Sequence, residues 1–130
     1  MASFVTNNGL AEIVSVVVAA NAARHLQWGT GSGQDAADNA LADTTGTTEA
    51  RTGGTMSAQT ETTTGDTIQV VGTITAEGEL TITEVGVFDT AGSGSPPTGG
   101  NMIAYNDFSA IDLMSADSIT FTVKITLDQA

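Results

Sequence analysis

The clearest pattern in the chain lies near its end. Ile119, Phe121, Val123, Ile125 and Leu127 take every second position, with Thr120, Thr122, Lys124 and Thr126 between them. A period of two marks a strand with one face in a core and the other in water. The same period puts Ile68, Val70, Gly72 and Ile74 on one face of an earlier strand, with Gln69, Thr73 and Thr75 opposite. Residues 80–88 read as a further strand, and residues 25–28, 102–105 and 108–113 as shorter ones. Tight turns are expected at Gly65-Asp66 and Glu77-Gly78. Residues 47–64 are threonine-rich and broken by Gly53-Gly54, which suits a solvated or edge strand pair. One segment keeps a helical period instead: Leu10, Ile13, Val14, Val17 and Val18 fall on one face of a 3.6-residue turn. Asn7 or Asn8 is the expected cap, and Glu12 is expected in the first turn, where the helix dipole favours a carboxylate.

These elements predict one domain over residues 1–130, with an arm at 1–7, a helix at 8–23 and a β body at 24–130. Phe4 and Val5 read as a short strand or a free arm. Surface loops are expected at 29–46 and at 90–100, the second stiffened by Pro96-Pro97. Roughly six or seven short strands with turns at this spacing imply a mainly β fold. An antiparallel β-sandwich or jelly-roll-like arrangement with one N-terminal α-helix is expected. Trp28, Phe88, Phe108 and Phe121 are its expected core aromatics.

Composition changes the picture by exclusion. Fifteen acids against three bases give a net charge of −12, which repels phosphate, so neither nucleic acid nor an anionic membrane is an expected partner. The chain has no cysteine, hence no disulfide, thiolate nucleophile or zinc–thiolate site. No basic segment opens it, so no secretory signal is expected, and the apolar stretch at 13–23 is too short for a membrane span. Synthesis in a cytoplasm is the expectation.

Candidate chemistry is sparse. The run Gly29-Thr30-Gly31-Ser32-Gly33 has the look of a phosphate cradle but lacks the lysine that a P-loop needs, and reads as a turn. Asp35, Asp38 and Asp43 do not follow the spacing of a calcium loop and read as solvated carboxylates. His25 stands alone beside Leu26 and Trp28 and reads as a packing residue. No catalytic residue, metal ligand or cofactor is therefore expected, and the chain does not read as an enzyme. Glu84 is the exception among the acids. Strict alternation gives it a face with Leu80, Ile82, Gly86 and Phe88, and a buried carboxylate needs a cation or several N–H donors. Of the three cations, Arg51 offers a planar fork from the preceding β region, so an Arg51–Glu84 pair is expected. A solvated strand centre is the alternative.

An ordered series of short motifs runs through most of the chain. It opens with Phe4-Val5-Thr6-Asn7 and Gly9-Leu10, then Trp28-Gly29-Thr30-Gly31, Ala40-Leu41 and Glu49-Ala50-Arg51. It continues with Val71-Gly72-Thr73-Ile74-Thr75, Glu84-Val85-Gly86-Val87-Phe88-Asp89 and Gly100-Asn101-Met102-Ile103-Ala104. Phe108-Ser109 and Asp117-Ser118-Ile119 close it. The series resembles a family of small structural proteins of tailed bacteriophages; the Gly/Pro-rich insertion before Asn101 and the Ala/Val-rich helix depart from it. The resemblance implies a virion component, either a capsid decoration (cement) protein or a collar or fibre-attachment protein. A decoration protein would bridge neighbouring major capsid protein subunits as a homo-oligomer, a trimer by expectation. Phe4, Val5, Pro96 and Pro97 are then the expected contact residues. Tail or fibre proteins are the alternative partners. A third reading is a carbohydrate-binding sandwich that stacks sugars on Trp28 and Tyr105.

Overall fold

Alternating apolar residues can be buried only by laying one sheet on another, and the chain does this with two. The computed structural model describes residues 3–128. The elements are α1 (Asn7–Ala20), β1 (His25–Gly29), β2 (Thr52–Gly53), β3 (Thr55–Gln59), β4 (Thr67–Thr75), β5 (Leu80–Phe88), β6 (Met102–Leu113) and β7 (Ser118–Thr126). One sheet, here sheet A, has the order β2-β1-β5-β6, and the other, sheet B, has β3-β4-β7. All pairings are antiparallel. The fold is mainly β and sandwich-like with a helix near the N-terminus, as expected.

Between the sheets lie Leu26, Trp28, Val70, Ile74, Ile82, Val85, Val87 and Val123. β4 and β7 pair without a break from Thr67↔Thr126 to Thr75↔Ser118. Their outward hydroxyls bond in pairs, Thr73 with Thr120 at 2.7 Å and Thr75 with Ser118 at 2.6 Å. With β2 only two residues long, sheet A leaves the β3 side of the core open. α1 lies against β3 and β4 and closes that side with Leu10 and Val14. Each such burial contributes about 1.5–3 kcal/mol.

Several expectations shift. The helix ends at Ala20, at the near limit of the expected end between residues 20 and 23, because Asn21 adopts a left-handed conformation at φ 53° and its N–H returns to Val17 and Val18. Its cap is Thr6, whose hydroxyl accepts from the Gly9 N–H at 3.1 Å. Asn7 and Asn8 are thus inside the helix, and Glu12 is beyond its first turn. Phe4 and Val5 belong to no strand. The two short strands expected at 102–113 are one strand, β6. A register shift between Ile82 and Glu84 breaks the alternation of β5. Ile82 therefore joins the inter-sheet core, while Glu84, Gly86 and Phe88 face outward beneath the loops. Phe88 is buried, but outside the inter-sheet core. Phe108 and Phe121 are only half-buried, since β6 and β7 are sheet edges.

Candidate interaction surface

Two long loops cover the outer face of sheet A, and each is held by one charged side chain. The first loop, residues 29–46, is anchored by Leu41 and by Glu84. The Glu84 carboxylate is fully buried and accepts N–H bonds from Gly31 at 3.1 Å, Ala42 at 3.0 Å and Asp43 at 3.0 Å. Thr83, beside it in the shifted register, donates to the Gly31 carbonyl at 2.6 Å. Gly29 is the cross-strand partner of Glu84, and a Cβ there would run into that carboxylate and the Asp43 carbonyl. A Cβ on Gly31 would meet the Asp43 N at 2.7 Å. These two glycines therefore provide space, and of the three in the run only Gly33 has a positive φ. The glycine-rich segment thus supplies one N–H, from Gly31, to a carboxyl group that is the protein's own Glu84, and Ala42 and Asp43 supply the other two.

Arg51 holds the second loop, residues 90–100. Its Nη1 donates to the carbonyls of Thr90 at 3.1 Å and Gly99 at 2.8 Å, and its Nε donates to Gln27 Oε1 at 2.8 Å. The guanidinium lies 3.7 Å from the centroid of the Phe88 ring, a cation–π arrangement. Gln27 completes the clamp by donating to the Pro97 carbonyl at 3.1 Å. The expected Arg51–Glu84 ion pair is not formed. Each group finds backbone partners on a different loop, and three N–H donors satisfy a carboxylate as well as a fork does. Pro97 is buried and Pro96 half-buried, so Pro97 packs inward and is no exposed contact residue. The loop is drawn in by a bridge between Ser93 and Thr98 as well as by Arg51.

Other acids are engaged in the same way. Glu49 is buried and accepts from Trp28 Nε1 at 3.1 Å, Glu77 N at 2.9 Å and Thr48 N at 3.1 Å. Burial raises its pKa, but these donors outweigh that and hold it below the usual carboxylate range. Asp66 accepts from the N–H groups of Glu61, Thr62 and Thr63 and from the Thr67 hydroxyl, and the backbone bonds from Thr63 and Glu61 hold it far below that range. Asp89 is lowered by the backbone and side-chain amides of Asn101. In the 29–46 loop, Asp35 accepts from the Ala37 N–H, Asp38 from Asp35 and Asp43 from Thr45, so each closes a local turn. Among the described residues no cluster of three histidines or acids is placed to hold a metal. His25 is half-buried, and burial together with Arg24 and Arg51 pushes its pKa down.

Large apolar side chains are exposed on the N-terminal arm and α1, and on or just past β6 at Ile103, Ile111 and Met114, and two regions stand out. Phe4 is 82% exposed, Val5 43%, Ile13 44% and Val16 58%, all on the N-terminal arm and one flank of α1. The second region is the side of the sandwich where β6 and β7 are both free edges. There Phe108 and Phe121 meet at 6.1 Å between centroids, and Ile119, Ile125 and Leu127 are half-buried along β7. β7 carries one charged residue, Lys124, which pairs with Glu61. α1 and β7 lie at different ends of sheet B, since α1 packs on β3 and β4. Trp28 is 1% exposed with its N–H bonded to Glu49, so it offers no face on which a sugar could stack. Tyr105 is half-buried next to Glu84, and burial followed by that neighbour raises its pKa.

The sequence pointed to Phe4 and Val5, which are exposed. It missed Ile13 and Val16 as surface residues, because the helical period fixes only which side chains share a stripe. The compared sequences and structures add no relative: no family model, curated protein or solved structure matches this chain.

Proposed function

We propose that this chain is a structural component of a bacteriophage virion, a capsid decoration protein that bridges neighbouring major capsid protein subunits. It is made in the host cytoplasm and works on the particle. The observation that carries this reading is the pair of uncovered apolar regions on a frame whose buried charges are engaged with its own backbone. A molecule that bridges needs two docking regions held at a fixed relation; α1 packs on β3 and β4, and β7 is the opposite edge of that sheet. Bridging stabilises a shell by mass action, because the protein binds assembled lattice and not free subunits. Several weak contacts made by an oligomer multiply into high avidity. The net charge of −12 limits adhesion to DNA and to anionic cell surfaces.

Copy number tests the reading. Purified particles of the virus should carry the chain in hundreds of copies by gel densitometry, on the logic of closed symmetric assembly. Absence from particles rejects the proposal, and roughly three to eighteen copies replace it with a collar or fibre-attachment role. Particles stripped of the protein should release DNA at a lower temperature than intact ones.

A further inference from the structure

The two loops are satisfied by Arg51, but Arg51 is not satisfied by the loops. A guanidinium has five N–H donors. The one on Nε goes to Gln27, and those on Nη1 go to the Thr90 and Gly99 carbonyls. Phe88 covers one face of the group at 3.7 Å. Nη2 has no acceptor among the described residues. It is not sealed either, because the sealed polar side-chain atom without a partner there is Tyr105 Oη. Arg51 also forms no ion pair among the described residues; the pair found is Lys124–Glu61. Asp89 acts on it from beyond contact and gives its own oxygens to Asn101. Arg51 is only 8% exposed, and burial pushes its pKa down. A cation is thus buried with no counter-charge touching it, although a charge out of water calls for one.

Arg51 lines a cavity of about 110 Å³ between the two loops. Leu41 and Thr44 line it from the 29–46 loop, Pro97 from the 90–100 loop and Phe88 from β5. No Asp or Glu lines it, in a chain that has fifteen acids. Thr44 is bonded through its carbonyl, by the N–H and hydroxyl of Thr47, which leaves its own hydroxyl as a second open donor. These donors call for an anion, and the walls of Leu41, Phe88 and Pro97 call for carbon beside it. The volume is below the ~300–1,000 Å³ of a drug-sized site, so the group is small. Nη2 and one hydroxyl match the two oxygens of a carboxylate. A phosphate brings a third charged oxygen and more charge, which nothing here meets and the net charge of −12 opposes. We infer that this cavity binds a short aliphatic carboxylate, with its oxygens on Arg51 Nη2 and the Thr44 hydroxyl and its carbon chain against Leu41, Phe88 and Pro97. Because Thr44 belongs to one loop and Arg51 holds the other, the occupant ties the two together. A free short-chain acid and an Asp or Glu side chain of a neighbouring protein share this chemistry. The inference stands without the decoration reading.

Titration of the isotope-labelled full chain with propionate, at neutral pH and fixed ionic strength, tests it by NMR. Saturable shifts are expected at the Arg51 Nε–H and at the Thr44 and Gly99 amides. The expected Kd is about 1–10 mM, the scale of one charge-assisted contact and a few carbon atoms. Propionamide keeps the shape without the charge and should bind about fivefold more weakly or worse. Inorganic phosphate should also bind more weakly than propionate. Arg51→Met should remove the shifts, but it also frees the 90–100 loop. Thr44→Val removes a hydroxyl that holds nothing in the chain, so it should keep the urea midpoint and raise the Kd about three- to tenfold. No saturation up to about 100 mM would mean a cavity that holds only water, and the inference falls. Equal affinity for propionamide, tighter binding of phosphate, or a Kd unchanged by Thr44→Val overturns it as well. A capped peptide with a single Glu separates the sources: tighter binding than propionate supports a neighbour's side chain in the cavity, and weaker binding supports a free acid.

Discussion

On the outer face of sheet A, two long loops lie over the strands, and the two charged side chains buried beneath them, Glu84 and Arg51, have partners in the same chain. On the outer flank of α1, Ile13 and Val16 face outward from a helix that is already packed, and Phe4 and Val5 are exposed on the arm before it. The difference shows how the same sandwich treats two kinds of surface. A polar loop has N–H and C=O groups to satisfy, so a single multivalent charge can fix its whole course. An apolar stripe has no such demand and is completed only by more apolar surface. The loops of the first region are saturated within the chain, and the second region is left bare by it.

The sharpest way to break this contrast is to unlock the saturated side. Glu84→Ala leaves the N–H groups of Gly31, Ala42 and Asp43 without their acceptor and opens a cavity at a fully buried side chain, and should cost about 3–5 kcal/mol, read as a lower urea midpoint. A loss below 1 kcal/mol, on the order of a surface change, would show that Glu84 is no anchor. Arg51→Met frees two carbonyls and Gln27 and should cost about 2–3 kcal/mol. Hydrogen exchange of the Thr98 and Gly99 amides should speed up in that variant. Arg51→Lys should recover little, because an ammonium lacks the fork that spans Gln27 and both carbonyls.

Acid titration sharpens the same comparison at lower amplitude. Asp66, Asp89 and Glu49 have pKa values below those of free carboxylates, so at low pH the unfolded chain binds more protons. Their contribution is complete above the ordinary carboxylate range and disappears as pH falls through the folded values. Thermal unfolding followed from neutral pH downward should therefore show a falling midpoint in acid, and Asp66→Asn should flatten that slope. The smallest effect belongs to the exposed Lys124–Glu61 pair, whose side chains are 47% and 41% accessible. Lys124→Ala should change stability by less than about 1 kcal/mol, read as the shift in urea midpoint.

Periodicity made much of this molecule legible. The alternation of residues 68–75 and 119–127 became β4 and β7, paired in the register their apolar faces require. The turn at Gly65-Asp66 and the helix near the start were readable for the same reason, because each depends on neighbours a few residues apart, whereas the strands expected as a pair within residues 47–64 are edges of two different sheets, β2 and β3. The need of Glu84 for several donors was also readable from its place in an apolar strand. Which groups answered that need was decided in three dimensions. A one-register shift in β5 turned Glu84 toward the 29–46 loop, and Gly29 and Gly31 left room for that loop to close on it. Arg51, expected as its partner, was taken by the carbonyls of another loop. Local spacing fixes which residues share a face. It does not fix which distant backbone lies over that face, or which apolar stripe the rest of the chain leaves bare.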